Sequence, residues 1–387
     1  MKKLLLIFLV ACSVHSLQAQ APDPKTFSQL RFRFIGPDGN RTIAVAGEPG
    51  NPNVAYVGAA SGGIWKTDDM GFHWRPIFDQ MDDSSIGALA VAPSNPKQVW
   101  AGTGETFLIR PAHAIGNGVY KSSNSGRTWK HMGLESTMRI SRVIVHPTDT
   151  NIVYVASLGH ASGPQKERGV YKTIDGGKTW QLVFHLNENT GCSDLALDAK
   201  NPDVLYAAMW EVEIKTWNLK SGGASSGIYR TRDGGKTWTP LRNGLESGPT
   251  HPVGKTSVDV AFTNPNVVYA LIEDKEPRLY RSEDGGDSWK LMQKNHSMGQ
   301  RAGYYTRLRV STRNENELYT ICVGIMKSVD GGKSFDTSFN PWSAGGDNHD
   351  MWFDPKNPDR ILCAHDGCVN FTYNGGRSWK NINLPIA

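Results

Sequence analysis

The sequence predicts an all-β chain folded as a seven-bladed β-propeller of four-stranded blades. Three observations carry that expectation. A motif of the form Ser/Thr-x-Asp/Asn-x-Gly-x-x-Trp/Phe occurs seven times, with third positions Asp69, Asn124, Asp175, Asp233, Asp284, Asp330 and Asn374. Its terminal aromatics, Trp74, Trp129, Trp180, Trp238, Trp289, Phe335 and Trp379, lie about 51 residues apart on average, the length of a four-stranded sheet with its turns. The 387 residues include 41 Gly and 21 Pro, with 39% hydrophobic and 10% aromatic residues. That is a turn-rich chain with ample core material, which excludes collagen-like and globally disordered classes.

Residues 1–21 read as an export signal. Lys2 and Lys3 precede the apolar run Leu4 to Ala11, which is too short for a mature spanning helix. Two kinds of processing compete. Leu17-Gln18-Ala19 and Ala19-Gln20-Ala21 resemble ordinary cleavage sites, whereas Leu9-Val10-Ala11-Cys12 reads as a lipobox that would leave Cys12 lipidated. The expected location is extracytoplasmic, with membrane contact only through lipidation at Cys12.

The propeller is expected over residues 30–387, each unit with one anatomy. In the second, Ile86 to Val91 is a small-residue inner strand, Asn95-Pro96 turns the chain, and Val99 to Gly102 returns. Val119 to Ser122 leads into the motif hairpin, which delivers Trp129. Asn-Pro turns recur at Asn51, Asn201, Asn264 and Asn357; the third unit has His146-Pro147, and the sixth has Asn314 without proline. Proline fixes the turn and cannot donate to a central ladder, so it marks a strand end. The motif closes the hairpin between third and fourth strands: the Asp or Asn side chain accepts from backbone N–H groups, and the glycine supplies a positive φ. Seven sheets that cannot bury both faces alone close most simply into a ring.

Four cysteines remain beyond the leader: Cys192, Cys322, Cys363 and Cys368. A disulfide across Cys363 and Cys368, which flank a tight-turn sequence, and four buried free thiols both fit the sequence. No second close pair accompanies them, so zinc is not expected. No cofactor is expected, since βαβ units and a dinucleotide loop are missing. A net charge of +5 without a long Lys/Arg run argues against nucleic acid as the partner.

Long loops beyond what ring closure needs point to a site. The longest, Thr103 to Gly118, Ser157 to Gly169, Trp210 to Gly227 and Asn243 to Ser257, are all expected on the face opposite the motif hairpins. Glu105, Arg110 and His113 lie in the first, and Arg139 precedes the third inner strand. Glu188, Asn189 and Asp194 precede or open the fourth, Tyr304, Tyr305 and Arg307 the sixth, and Asp347, Asn348, His349 and Asp350 the seventh. Glu105, Asp194, Asp347 and Asp350 are candidate catalytic carboxylates, because glycoside hydrolysis needs a pair about 5 Å or about 6.5–9.5 Å apart. Arg139, Tyr304, Tyr305, Arg307, Asn348 and His349 are candidate ligand-binding residues, with Trp210 and Trp217 as a stacking platform for sugar rings. The alternative for each is structural: tied strand ends, packed loops or salt bridges.

The repeats resemble Asp-box (BNR) propellers, a group that includes sialidases, two-propeller xyloglucanases, the sortilin ectodomain and photosystem assembly propellers. Phe34-Ile35-Gly36-Pro37, Ser61 to Thr67 and Asp347-Asn348-His349 resemble exported bacterial proteins labelled "glycosyl hydrolase" or "sortilin N-terminal domain", many of which continue into a second propeller. The resemblance implies an exported carbohydrate-active propeller, with a non-catalytic sortilin-like binder of protein or peptide as the alternative. The open Phe34 to Pro37 segment does not match the sialidase pattern. The xyloglucanases divide their carboxylates between two propellers, and this sequence has repeats for one. His-Glu-x-x-His is missing too, which argues against that hydrolase class.

Overall fold

The computed structural model describes residues 23–27, 41–106, 114–160, 162–336 and 346–384. The chain divides into two compact units, Met1–Ile35 and Gly36–Ala387. In the first, Pro24–Phe27 form one 3-10 turn. The leader, Cys12 and the Phe34 to Pro37 segment lie outside the described residues, as do Arg110 and His113.

The second unit is a seven-bladed propeller of four-stranded antiparallel blades. Its inner strands are Thr42–Gly47, Ile86–Val91, Ile140–Val145, Thr190–Leu197, Thr256–Val260, Arg307–Val310 and Asn348–Phe353, here opening blades 1 to 7. Among the described residues blade 6 is the sparest: three strands, with the fourth place held by a bridge between Lys327 and Asp336. Blade 4 is the largest. Leu205–Lys215 outruns its partner and pairs with Asn218–Ser221, so much of the loop expected after Trp210 is a projecting hairpin.

The motif's hydrogen bonds explain its residue types. In blade 3, Thr173 Oγ1 donates to Asp175 Oδ1 (2.8 Å) and accepts from Gly177 N (3.0 Å), while Asp175 Oδ1 also accepts from Thr179 N (3.0 Å). The glycine at this place has positive φ in every copy, 92° at Gly177, a conformation that costs a side chain. Each terminal aromatic packs into the seam with the preceding blade. Trp129 meets Phe78 edge-on at 5.3 Å, Trp180 meets Trp100 at 6.1 Å, and Trp238 stacks on Phe184 at 4.7 Å. The apolar core is accordingly a ring of clusters, one per seam. Blades approach so closely there that a methyl group at Gly58 or Gly102 would overlap Ile86 or Ile140, which open the next inner strands.

A second repeated element, not singled out in the sequence, clamps the seams. The third strand carries Lys or Arg just before the motif's Ser/Thr in six blades: Lys66, Lys121, Lys172, Arg230, Arg281 and Lys327. Lys172 Nζ lies 5.2 Å from the Tyr154 ring centre and donates to Gly234 O of the next blade (2.7 Å), where the Tyr154 hydroxyl also donates (3.0 Å). Lys121 does the same over Trp100 toward Gly176 O (3.2 Å). Blade 7 has Phe371 there, and its seam with blade 1 is held by fully buried Arg360. Arg360 donates to Glu48 O (3.1 Å), Asn51 O (2.7 Å) and Val54 O (2.6 Å) and pairs with Asp354.

All four described cysteines are buried free thiols, so the Cys363–Cys368 disulfide does not form. The two lie on adjacent strands of a paired hairpin but are not opposite each other: Cys368 pairs with His365 and Cys363 with Asn370, and they pack into different seams.

Candidate functional site

Every inner strand enters from the face opposite the motif hairpins, and the loops between second and third strands return to that same face. Side chains from blades far apart in sequence therefore meet around the channel, in two tiers.

The deep tier is an ion-pair network across the channel. Arg142 of blade 3 joins Asp194 of blade 4 (Nε to Oδ1, 3.0 Å) and Asp350 of blade 7 (3.3 Å). Arg309 joins the same two carboxylates (3.1 and 3.2 Å), and Arg307 reaches Asp350 (3.2 Å) and the Ser141 carbonyl (3.3 Å). Ser257 Oγ and Leu195 N also donate to Asp194, at 2.7 and 3.1 Å. Both carboxylates, expected as catalytic, thus have every oxygen engaged, which suits a structural plug. Burial lowers the proton affinity of Arg142, but Asp350 and Asp194 outweigh it and hold the guanidinium charged. Asp259 of blade 5 borders the network; burial pushes its carboxyl up to about 7, although Val310 N donates to it.

The upper tier forms the mouth. Arg41 Nη2 contacts Glu105 Oε1 at 2.9 Å, and Arg41 Nη1 donates to the Tyr304 hydroxyl at 3.2 Å. The Tyr304 hydroxyl donates to Asp366 (3.1 Å), which also meets His349 Nε2 at 2.6 Å. Burial holds His349 below its ordinary value despite Asp366, so the neutral imidazole with a proton on Nε2 is the favoured donor. Tyr305 stacks along His349 at 6.0 Å, its hydroxyl accepting from Arg301 Nη1 (3.3 Å).

Two mouth carboxyls are pushed in opposite directions. Burial raises Glu105, which is 2% exposed, against the opposing pull of Arg41 and Arg139. Asp366, with a side chain 36% exposed, is lowered: burial opposes this, but hydrogen bonds from His349 and Tyr304 and the charge of Arg41 prevail. The two carboxyls thus differ in proton affinity, the kind of separation that acid–base chemistry uses. The mouth also concentrates backbone strain, with positive φ at Arg301 (50°), Thr306 (72°) and Asp347 (73°). A β-branched residue there is costly, and such outliers gather at functional sites.

Glu105, Tyr304, Tyr305, Asp347 and His349 thus share the mouth, while Asp194, Arg307 and Asp350 belong to the tier below. Arg139 lines the mouth from beneath, its Nε donating to Glu105 O (2.9 Å). Asn348 ties strand ends through Nδ2 to Val323 O (3.1 Å). The stacking role of Trp210 is a correction. Its ring is 0% exposed, packed with Leu158, Val212 and Ile214, and offers no face to a sugar. Trp217 is 83% exposed at the tip of the blade 4 hairpin. Sequence reasoning missed Arg41, Arg142, Arg301, Arg309 and Asp366. For Asp366 a signal existed, since Asp366-Gly367 turns the chain between second and third strands on the mouth face.

Several hollows lie away from the mouth. A cavity of about 320 Å³ opens toward the motif face, bordered by residues of all seven blades and by Arg142, Asp259, Arg309 and Asp350. Another of about 600 Å³ sits between blades 5 and 6 at the outer rim, beside the spare edge of blade 6. Among the described residues, no group of three His, Cys, Asp or Glu side chains is disposed to hold a metal ion.

Comparison with known proteins gives three results. The model of the Sortilin-Vps10 family ("Sortilin, neurotensin receptor 3,") matches residues 117–261. The chain is 24% identical over 307 residues to a probable oligoxyloglucan-reducing end-specific xyloglucanase of Neosartorya fischeri, covering 66% of this chain and 35% of that protein. It is 25% identical over 330 residues to the xyloglucanase Xgh74A of Acetivibrio thermocellus, covering 72% and 37%. The chain therefore spans about a third of the length of these curated relatives. Among solved structures, YCF48 from Cyanidioschyzon merolae superposes with TM-score 0.56 at 12% identity, over 89% of this chain and 99% of that one. The same fold appears in "YCF48 bound to D1 peptide", with TM-score 0.57 at 13% identity over 89% and 98%. These likenesses concern the propeller fold.

Proposed function

We propose that this protein is an exported, glycoside-hydrolase-like propeller that takes a glycan at the channel mouth. The observation that carries the reading is the pair of carboxyls on either side of Arg41: Glu105, raised by burial, and Asp366, held ionised by His349 and Tyr304. In this reading Glu105 donates a proton to the leaving oxygen, and Asp366 supplies the negative charge that steadies an oxocarbenium-like transition state or activates water. Similarity to xyloglucanases supports a carbohydrate substrate. The signal-like residues 1–21 support export.

The test is a glycan array on the mature protein, followed by reducing-end assays on each hit for wild type, Glu105→Gln and Asp366→Asn. Binding with turnover lost in both variants, at unchanged melting temperature, is the expected result. Binding without turnover would reduce the reading to a glycan-binding module, and no glycan bound would overturn it. The second reading is a sortilin-like propeller that binds a protein or peptide. It is favoured by the family-model match over 117–261 and by the exposed Trp217 on the projecting hairpin.

A further inference from the structure

Most of the mouth is sealed by its own contacts. Glu105, Tyr304, Tyr305 and His349 are buried, and each mouth carboxyl already has a partner: Arg41 on Glu105, Tyr304 and His349 on Asp366, Arg301 Nη1 on Asp347. Arg301 differs. Its side chain is 55% exposed, and its guanidinium carbon lies 5.2 Å from the Tyr304 ring centre and 5.5 Å from that of Tyr305. Both of its polar contacts run through Nη1, to the Tyr305 hydroxyl at 3.3 Å and to Asp347 at 3.8 Å. Among the described residues, Nε and Nη2 hold no partner. Those two nitrogens form the side of the guanidinium whose parallel N–H bonds match the two oxygens of a carboxylate.

We infer that Arg301 is a specificity residue for an acidic glycan, binding the carboxylate of a uronic acid ring bidentately through Nε and Nη2 at the mouth. The inference rests on the glycan reading above and narrows its substrate class. Three features support it. The tyrosine pair fixes the guanidinium plane by cation–π contact, so little side-chain entropy is lost on binding. The Asp347 pairing sits on Nη1, so it anchors the head without occupying the fork. Arg41 and Arg139 add positive charge to the same mouth, which favours an anionic ring where the carboxylates are already paired. The left-handed backbone at Arg301, φ 50°, holds this side chain at the mouth as part of the 301–304 turn, where Tyr304 N and Tyr305 N both donate to Arg301 O.

The experiment measures binding of the mature protein to oligogalacturonate, oligoglucuronate and oligomannuronate, each beside its methyl ester. Neutral xylogluco-oligosaccharides and an aspartate-rich peptide complete the panel. One or more acidic oligosaccharides should bind about ten- to hundred-fold tighter than the ester, the size of a lost charge-assisted contact. Arg301→Gln should erase that preference, and Arg301→Lys should restore only part of it, because lysine keeps the charge without the fork. Circular dichroism and melting check that both variants fold. Equal binding of acids and esters, neutral glycans alone, or a preference untouched by Arg301→Gln would overturn this inference while leaving the glycan reading intact. Binding of the acidic peptide with no oligosaccharide would overturn both.

Discussion

Arg142 on the third blade reaches across the channel to Asp350 on the seventh, 208 residues later, with a nitrogen–oxygen distance of 3.3 Å. Arg307 and Arg309 converge on that same carboxylate, so the channel is plugged by charge. Buried pairs of this kind contribute little over a well-packed apolar alternative, yet removing one partner strands the others.

Asp350→Asn is therefore expected to destabilise the fold by about 3–5 kcal/mol, since three guanidinium groups would be left facing a single remaining paired carboxylate, Asp194. Chemical denaturation checks this. A change below about 1 kcal/mol would show that water reaches and screens the plug.

The motif hydroxyl is buried although the hairpin it closes is largely exposed, and its loss should matter accordingly. Thr173→Ala removes the donor to Asp175 and the acceptor for Gly177 N from a buried site, for an expected loss of about 1–3 kcal/mol. Thr173→Ser should retain most of the stability, and glycan binding at the mouth should not change in either variant.

The motif carboxylates should shape the acid limb of stability. The backbone N–H and imidazole of His73, with the Thr67 hydroxyl, hold Asp69 at about 2; at Asp284 and Asp330 burial opposes the hydroxyl and backbone donors, yet these too are held at about 2. Asp175 and Asp233 are lowered by the same donors. A depressed folded value means stability that is present above the unfolded value near 4 and is lost as pH falls toward about 2. Urea midpoints should drop across that window. Replacing these aspartates by asparagine, the residue already present at positions 124 and 374, should flatten the drop.

Ring closure should depend on Arg360. Arg360→Met takes the guanidinium from three carbonyls of blade 1, each of which keeps one backbone donor, and leaves Asp354 without its counter-charge, for an expected loss of about 3–5 kcal/mol. Lys172→Met removes a single clamp at an ordinary seam and should cost about 1 kcal/mol. Hydrogen exchange should localise the first defect to the seam of blades 7 and 1. Uniform acceleration over the whole ring would argue against a special role for Arg360.

Reducing agent should leave the melting temperature unchanged, because the described cysteines are free. Burial pushes the Cys322 thiol up to about 11 and raises Cys192 and Cys363 as well, so thiol reagents should label these three only after unfolding.

The architecture was legible in the sequence because it depends on local rules written seven times. An Asp or Asn acceptor, a glycine and an aromatic at fixed offsets close a hairpin wherever they occur, and the repeat length leaves room for three further strands. The mouth face was legible for the same reason: strand direction alone puts Glu105, Tyr305, Asp347 and His349 on one side. Partner choice was not legible. Arg142, Arg301 and Arg309 look like ordinary solvated arginines in the sequence, and Trp210 looks like an aromatic available to a ligand. Only the tertiary structure decided that Arg142 and Arg309 neutralise Asp194 and Asp350, that Trp210 is buried beneath the blade 4 hairpin, and that Arg301 lies over Tyr304 and Tyr305 with one side of its guanidinium open. The first of these joins residues from different blades, so it follows from how the blades are packed around the axis; the other two are close in the chain, but side-chain packing and not spacing sets them.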